Sequence, residues 1–330
     1  MNKKIVLPLI PFCALMLTSC NGVNVHHNID EYFLTTDYKE DYRILQLNDI
    51  HIGDKDNRQL HYKFMDLTIK EANPNMIVLD GDIFTFASRN TAIELFNFID
   101  SYGVPWTATF GNHDEQCYFS VDWLTGYLND FGSNCLFKDI QDDDVTGNAN
   151  FVINLMKGTD VFESIIIMDS NRYYFGDYFG YDYIKENQIK WYEEAVTYNN
   201  QKAGKSIQSL MFFHIPLPEF TNAWDAYQAG SADAKYIIGE KREKVCSPDF
   251  NSGMFAKVKE LGSTTGIFCA HDHINNFAIE YQGVVLSYGV NSTDRIYYDE
   301  NLMGGQVVTL HGDHTFTISQ IFHHYSEVGK

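Results

Sequence analysis

The chain has 330 residues, 45% of them hydrophobic and 15% aromatic, and a formal net charge of −20 at pH 7. This composition excludes a disordered chain, and the length suffices to bury a large core as one big domain or as two. Because nucleic-acid backbones are bound mainly through Lys and Arg, the acidic balance argues against nucleic-acid binding. If this protein handles phosphate, something other than basic side chains must supply the positive charge.

The first 19 residues have the pattern of a signal peptide. Two lysines precede the apolar run from Ile5 to Leu17, which is too short to span a bilayer. The following Thr18-Ser19-Cys20 resembles a bacterial lipobox; the alternative is an ordinary secretory signal with an incidental cysteine. We expect cleavage after residue 19, a lipid on Cys20 that anchors the protein to a bacterial membrane or cell surface outside the cytoplasm, and a tether over residues 20–40.

No internal repeat or low-complexity linker divides residues 41–322, so we predict one main domain there and a short tail over 323–330. Apolar periodicity and turn residues predict, in chain order, strand 43–47, helix 57–72, strand 76–80, helix 91–101, strand 105–110, a hairpin of 149–155 and 161–168, helix 185–198, strand 209–213, helix 252–261, strand 265–270, and antiparallel strands 284–289, 305–310 and 314–321. This order predicts an α/β or α+β domain whose sheets are covered by helices.

Five of these apolar runs end in side chains that can bind a metal ion. The ends are Asn48-Asp49-Ile50-His51, Asp80-Gly81-Asp82, Gly111-Asn112-His113-Asp114, His214 and His271-Asp272-His273. In open α/β sheets, functional groups gather beyond the carboxyl ends of the strands. Asp49 and His51 are two residues apart, as are His271 and His273, and in an extended backbone this spacing puts both side chains on one side.

The chemistry of these side chains indicates the kind of metal. Histidine, aspartate and asparagine together are borderline to hard ligands, which suit Mn, Fe, Zn or a mixture. Even seven donors from these five strand ends are too many for one tetrahedral zinc ion, so two metal ions that share a bridging carboxylate fit better. Two cations would also supply the positive charge that the acidic surface lacks.

The ordered series of motifs resembles the calcineurin-like metallophosphoesterase superfamily over about residues 43–290. Three further stretches resemble its small purple-acid-phosphatase-like branch: His214-Ile215-Pro216-Leu217-Pro218-Glu219, Ser247-Pro248 with Asn251-Ser252-Gly253, and Ala270 to His273 with Asn275. The resemblance implies two central β-sheets packed together with helices outside, and a catalytic domain over 41–322.

The resemblance also implies a role for each candidate residue. One metal ion would be held by Asp49, His51 and His273, the other by Asn112, His214 and His271, and Asp82 would bridge the two. His113 would contact the phosphate and protonate the leaving oxygen without binding metal. A hydroxide bridging the two ions would attack phosphorus directly, with no covalent enzyme intermediate.

The resemblance implies hydrolysis of phosphomonoesters. A phosphodiesterase or a nucleotidase on the same dinuclear core is the first alternative, and a metal-binding surface lipoprotein without turnover is the second. We expect residues 217–250 to border the substrate pocket, and Arg295 or Tyr288 to contact substrate.

Two positions depart from the family pattern. Ala270 stands where the family usually has glycine, and its methyl group is tolerable if φ there is negative. Thr85 stands where purple acid phosphatases have a tyrosine ligand, so we expect no tyrosinate-to-iron colour.

The stretch Leu310 to His314 resembles a metal motif but lies between two predicted strands, which predicts a hairpin turn. Four cysteines after the signal, Cys117, Cys135, Cys246 and Cys269, lack zinc-finger spacing and leave disulfide pairing open.

Overall fold

The computed structural model of the chain describes residues 28–132, 134–176 and 179–329. The predicted signal peptide and the lipid-carrying Cys20 lie outside these residues. The strands are β1 Phe33–Asp37, β2 Tyr42–Leu47, β3 Met76–Asp80, β4 Trp106–Thr109, β5 Phe151–Lys157, β6 Asp160–Ile167, β7 Tyr173–Phe175, β8 Phe179–Tyr181, β9 Ser209–Phe212, β10 Ala234–Ile238, β11 Thr264–Cys269, β12 Ala278–Tyr281, β13 Val284–Tyr288, β14 Gly304–Leu310 and β15 Phe316–Phe322. The α-helices are α1 Arg58–Ala72, α2 Arg89–Asp100, α3 Val121–Asn129, α4 Glu186–Ala203, α5 Glu219–Gln228 and α6 Met254–Leu261.

Two large sheets form the centre of the fold. The larger sheet has the strand order β1-β5-β6-β9-β11-β13-β12-β10, and the smaller has β15-β14-β2-β3-β4. Neighbours among β6, β9, β11 and β13 are parallel, as are β2, β3 and β4. Each parallel set therefore ends on one edge of its sheet. The predicted fold of two sheets flanked by helices is confirmed.

The main hydrophobic core lies between the two sheets. The ring of Phe268 on β11 lies 4.8 Å from that of Phe212 on β9 and 6.0 Å from that of Phe316 on β15 in the other sheet, measured between centroids. The side chain of Gln46 on β2 also crosses the interface and donates to the carbonyl of Cys269 at 3.1 Å. Such contacts hold the two sheets in one relative position, which fixes where their strand ends meet.

Helices α1 and α6 end where the sequence predicts, at residues 72 and 261, whereas α4 continues to Ala203, past its predicted end at residue 198. Asn57 caps α1 by accepting a hydrogen bond from the backbone N–H of Leu60, and Asn73 ends it in the left-handed conformation before Pro74. Gly262, with φ +67°, ends α6 in the same way. Residues 311–315 form the turn between the antiparallel strands β14 and β15, as the sequence predicts.

The structure differs from the predicted ends of the domain. Part of the expected tether is β1, which pairs in parallel with β5, because Phe33, Leu34 and two threonines favour a strand. Tyr325 of the expected tail is buried, and its ring stacks on Phe64 of α1 with centroids 4.2 Å apart. Residues 33–37 and Tyr325 therefore belong to the folded domain.

Several short elements were not predicted, namely α3, α5, β7, β8, β10 and β12. The cysteines of the described residues, all four after the signal, are free. Across the described ranges, we find no helix with the length and apolar character needed to cross a membrane.

Candidate metal centre

The strand ends of both sheets meet at one buried site. Within each of two groups of residues, the ligand atoms lie within 4.8 Å of one another. Asp49, His51 and His273 form the first group, and Asp82, His214 and His271 form the second. All six side chains are buried. Each group combines residues that follow β2 or β3 of the smaller sheet with histidines that follow β9 or β11 of the larger one.

Asp82 connects the two groups. Its Oδ2 lies 3.1 Å from Nε2 of His214 in its own group and 3.7 Å from Nε2 of His51 in the other. Asp49 Oδ1 likewise lies 3.5 Å from Nε2 of His273 and 3.9 Å from Nε2 of His214. The two groups therefore form one continuous centre, with a carboxylate between them.

Contacts at Nδ1 turn the Nε2 atoms of three of the four histidines toward the centre. His214 Nδ1 donates to the carbonyl of Asp80 at 2.9 Å, and His273 Nδ1 donates to the carbonyl of Tyr297 at 2.7 Å. Because a carbonyl can only accept, Nδ1 of each ring carries a proton, which leaves Nε2 as the nitrogen that can bind a metal ion. His51 Nδ1 lies 2.9 Å from the hydroxyl of Thr85. Thr85 therefore orients His51.

The residues fit metal ions because several of their buried polar atoms have no hydrogen-bond partner. These atoms are Asp49 Oδ1, Asn112 Oδ1, His214 Nε2, and both Nδ1 and Nε2 of His271. Buried polar groups in folded proteins are almost always hydrogen-bonded, so five buried atoms without a hydrogen-bond partner at one site need another partner. Cations are the partner that carboxylate, amide and imidazole lone pairs share.

The pKa values show how protons occupy the centre. Burial lowers the pKa of His51 well below its ordinary value and that of His271 to about 3, so both rings are neutral at pH 7. Burial alone would raise the pKa of Asp82, but His214 and His51 hold it well below its usual range. Burial would lower the pKa of His214, but Asp82 and Asp49 raise it to about 10. A cation at His214 Nε2 would therefore replace a proton.

Four residues of the centre have left-handed backbone conformations. Their φ angles are +52° for Asp49, +48° for His51, +46° for Asp82 and +79° for His271. Such strain costs about 1–3 kcal/mol per residue and concentrates at functional sites. Ala270 is not among the described residues with positive φ, so its methyl group is tolerated.

Two glycines allow the close packing of the centre. A Cβ on Gly81, which has φ +78°, would lie 2.5 Å from the ring of His214. A Cβ on Gly111 would lie 2.3 Å from Oδ1 of Asp82. The glycines at these two strand ends therefore let the neighbouring ligands approach the backbone.

Asn112 and His113 follow β4 at the edge of the centre. Asn112 Nδ2 donates to the hydroxyl of Tyr173 at 2.8 Å, which fixes the amide so that Oδ1 is the unpaired atom. The backbone N–H of His113 donates to Asp82 Oδ1 at 2.7 Å, and its Nδ1 lies 2.9 Å from Oε1 of Gln116. The His113 ring is partly exposed and meets the His51 ring edge-on at 4.9 Å between centroids. His113 thus faces the open side of the centre.

Sequence reasoning missed the tyrosines around the centre. Tyr297 stacks on His273 with ring centroids 4.2 Å apart. The ring of Tyr181 meets that of His271 edge-on, with centroids 4.3 Å apart. Tyr288 is fully buried and donates to Asp272, so the expectation that it contacts substrate is wrong. Tyr181 and Tyr297, like Tyr173, gave no signal in the sequence because no metal-motif spacing includes them.

Comparisons with known proteins agree with this geometry. The sequence matches the family described as calcineurin-like phosphoesterase over residues 42–275. It is 28% identical over 286 residues to "Probable inactive purple acid phosphatase 14" of Arabidopsis thaliana, which covers 75% of this chain and 69% of that protein. It is 25% identical over 265 residues to "Phosphatase DCR2" of Saccharomyces cerevisiae, which covers 72% of this chain and 45% of that protein. The solved dimetal phosphatase from Danio rerio LOC 393393 has a similar fold, with a TM-score of 0.54 at 13% identity over 83% of this chain and 94% of that chain.

Proposed function

This chain belongs to the calcineurin-like phosphoesterase family, and from that membership we propose that it hydrolyses phosphomonoesters at a centre of two metal ions. Membership makes the chain a hydrolase acting on phosphate ester bonds. The observation that carries the proposal is the set of unpaired, buried ligand atoms that converge from both sheets. Mn, Fe or Zn suits this donor set.

Each candidate ligand has a role in this proposal. Asp49, His51 and His273 would hold one ion, Asn112, His214 and His271 would hold the other, and Asp82 would bind both. When bound, the ions lower the pKa of water to about 7 and neutralise the charge of the reacting phosphoryl group. The carboxylate and imidazole groups of the set would be occupied by the ions and could not serve as nucleophiles, which favours direct attack of water on phosphorus without a covalent enzyme intermediate.

His113 is the proposed general acid. Its ring is partly exposed beside the buried centre, and its backbone N–H is fixed by Asp82. Because Gln116 Oε1 accepts from Nδ1, Nε2 is the nitrogen that can give a proton to the leaving oxygen.

The deciding experiment compares a phosphomonoester with a phosphodiester. The protein, loaded with Mn, Fe or Zn, is assayed on nitrophenyl phosphate and on bis(nitrophenyl) phosphate. We expect faster hydrolysis of the monoester. Faster hydrolysis of the diester would support the phosphodiesterase alternative. No hydrolysis of either by protein with two bound ions would overturn the proposal and support the non-catalytic alternative, which the word "inactive" in the relative's name keeps open.

We further propose that lipid on Cys20 anchors the mature protein outside the cytoplasm of a bacterium. The lipobox-like Thr18-Ser19-Cys20 after a short apolar run supports this proposal. Expression in a bacterial host with labelled fatty acid should label the wild type, which should partition into detergent, whereas Cys20→Ala should lose both properties. Equal labelling of the two proteins would exclude Cys20 as the anchor.

A further inference from the structure

Exposed apolar side chains concentrate around the metal centre. Six of the eleven exposed large hydrophobic side chains among the described residues lie in three segments that each contact a candidate ligand. We call these six side chains the apolar rim, and they are Phe86, Phe175, Phe179, Ile296, Tyr297 and Tyr298. Exposed apolar patches mark surfaces that contact a membrane or another protein.

Two segments of the apolar rim border the first ligand group. Phe86 directly follows Thr85, whose hydroxyl lies 2.9 Å from His51 Nδ1. The carbonyl of Tyr297 accepts a hydrogen bond from His273 Nδ1 at 2.7 Å, and the Tyr297 ring stacks on the same histidine. These two segments therefore lie at the end of the molecule where the strand ends meet.

The third segment is the hairpin of β7 and β8, which belongs to neither large sheet. The Tyr173 hydroxyl accepts from Nδ2 of Asn112, a proposed ligand of the second ion. Tyr173 pairs with Tyr181 and Phe175 with Phe179, so these four alternate residues share one face of the hairpin. The rings of Phe175 and Phe179 contact each other, with centroids 5.3 Å apart, yet they are 79% and 71% exposed. The hairpin thus extends an aromatic face from the second ligand group into solvent.

Strained backbone presents two of the rim side chains to solvent. Phe86 has φ +52° and Ile296 has φ +62°, conformations that are costly for bulky residues and most of all for a β-branched one. Their side chains are 60% and 53% exposed, so neither conformation serves to bury apolar surface in the core. Such strain concentrates at functional sites. The apolar rim is therefore placed for contact with something outside the domain.

A lipid bilayer suits the arrangement and the chemistry of the apolar rim. A broad apolar surface can contact all three segments at once, whereas a small molecule would reach only one. Five of the six rim side chains are aromatic, and aromatic side chains are characteristic of membrane interfaces. The formal net charge of −20 opposes attraction to anionic head groups, so the contact would depend on burial of apolar surface.

The chain enters the domain close to the hairpin. Ile29 lines a cavity of about 260 Å³ together with Asn187 of α4, and α4 begins five residues after β8 ends. The described residues begin at Asn28, eight residues after Cys20. A lipid on Cys20 would therefore lie at most about 30 Å from Asn28. The proposed anchor would hold the hairpin side of the domain near the bilayer.

We propose that the apolar rim docks on a lipid bilayer, so that the metal centre acts on phosphomonoester groups at the membrane surface. The inference rests on the proposed phosphomonoesterase activity, and the argument from the point of chain entry rests on the proposed lipid at Cys20. The side chains of Phe86, Phe175 and Tyr298, one from each segment, contribute apolar burial to docking and bind no metal ion.

Vesicle binding tests the apolar rim without the lipid anchor. The chain from residue 21 onward contains every described residue and lacks Cys20, and it is sedimented with phosphatidylcholine vesicles. We expect equally strong binding at low and high salt, because salt screens contacts between charges and not apolar burial. Phe86→Ala, Phe175→Ala and Tyr298→Ala should each weaken binding by about 10-fold.

Ile237→Ala is the matched control. Ile237 is 38% exposed, but it lines a groove at the opposite end of the sheets, with Gln208 before β9 and Gly283 before β13. The control variant should bind vesicles as the wild type does.

Activity on two phosphates tests whether docking serves the metal centre. The metal-loaded protein is assayed on phosphatidic acid in phosphatidylcholine vesicles and on glycerol 3-phosphate in solution. We expect the three rim variants to lose activity on the vesicles by about the factor by which they lose binding, and to hydrolyse glycerol 3-phosphate at the wild-type rate. Equal losses on the two substrates would overturn the inference, because the rim would then support the centre itself.

Two further results would also overturn the inference: no binding of the wild type to vesicles, or binding of the three rim variants that equals that of the wild type. Dissociation of a dimer by the same variants, without vesicle binding, would assign the apolar rim to a second copy of this chain instead. Failure to hydrolyse any phosphomonoester would overturn the proposed function, and vesicle binding would still decide whether the rim docks on a membrane.

Discussion

The Nε2 atoms of His51 and His273 lie 3.1 Å apart in the buried centre. His273 Nδ1 donates to a backbone carbonyl, so its Nε2 carries a lone pair, and His51 Nδ1 contacts the Thr85 hydroxyl. Two facing ring nitrogens, with Asp49 Oδ1 at 3.5 Å from one of them, suit a shared cation. The hydrogen bonds at the far side of each ring thus determine what the centre can bind.

Removing the Thr85 hydroxyl should weaken the first metal site. Thr85→Val keeps the shape of the side chain but loses the contact with His51 Nδ1. We expect metal affinity to fall by about 10- to 100-fold, the usual effect of losing such a supporting group, as measured by competition with a chelator. Thr85→Ser keeps the hydroxyl and should bind metal as the wild type does. Equal affinity of the valine variant would mean that Thr85 does not orient His51.

Asp82→Asn should nearly abolish activity, because it removes the anion that faces both ligand groups. We expect kcat to fall by about 10²–10³-fold or more, with loss of at least one bound ion. Kinetics and elemental analysis of the same preparation measure both effects. Asp225→Asn, on the exposed surface of α5, is the control. Wild-type activity of Asp82→Asn with two bound ions would contradict the bridging role.

His113→Asn should keep both metal ions and lower kcat by about 10²–10⁴-fold, the usual contribution of a general acid. The loss should be larger for an alkyl phosphate than for nitrophenyl phosphate, since nitrophenolate leaves more readily without a proton. Metal analysis and kcat on both substrates test this expectation. An unchanged kcat on the alkyl phosphate would remove His113 from the mechanism.

Gly81→Ala should disrupt the position of His214, because the new Cβ would lie 2.5 Å from its ring. Gly103→Ala is a matched control, since Gly103 also has a positive φ, +67°, but a Cβ there meets nothing within 4 Å. We expect the Gly81 variant to lose about 1–3 kcal/mol more unfolding free energy than the control, from the steric clash alone. Urea denaturation measures the difference. Equal losses would show that φ, and not contact with His214, requires glycine here.

Glu163→Gln should make stability less dependent on pH. Burial raises the pKa of Glu163 to about 8, although His314 Nδ1 lies 3.3 Å from its Oε1. The folded state therefore holds this proton more tightly than the unfolded state, and the associated stability is lost as pH rises toward about 8. We expect the variant to gain roughly 1–3 kcal/mol relative to the wild type between pH 5 and pH 9, as measured by denaturation at both. If the difference in unfolding free energy between the variant and the wild type were the same at pH 5 and pH 9, Glu163 would ionise as easily in the folded protein as in the unfolded chain.

The sequence predicted the centre of the fold better than its edges. The runs ending at Asp82 and His214 are short, apolar and parallel, so their ends had to converge once they entered two packed sheets. By contrast, Tyr173 and Tyr297 reach the centre from segments without regular periodicity. Only tertiary packing determines which side chains of such segments reach the centre. For the same reason the sequence predicts a tether where β1 forms, because the pairing partner of β1, β5, lies more than 100 residues later in the chain.

Each ligand group takes side chains from both sheets. A cation held by Asp49 and His51 on one side and His273 on the other would therefore act as a cross-link, and the second group would add another beside it. Sliding one sheet over the other would then require breaking coordination bonds as well as the apolar interface. The loaded protein would consequently resist mechanical shear and proteolysis at the strand ends, so the ions that perform the chemistry would also fasten the two halves of the domain together.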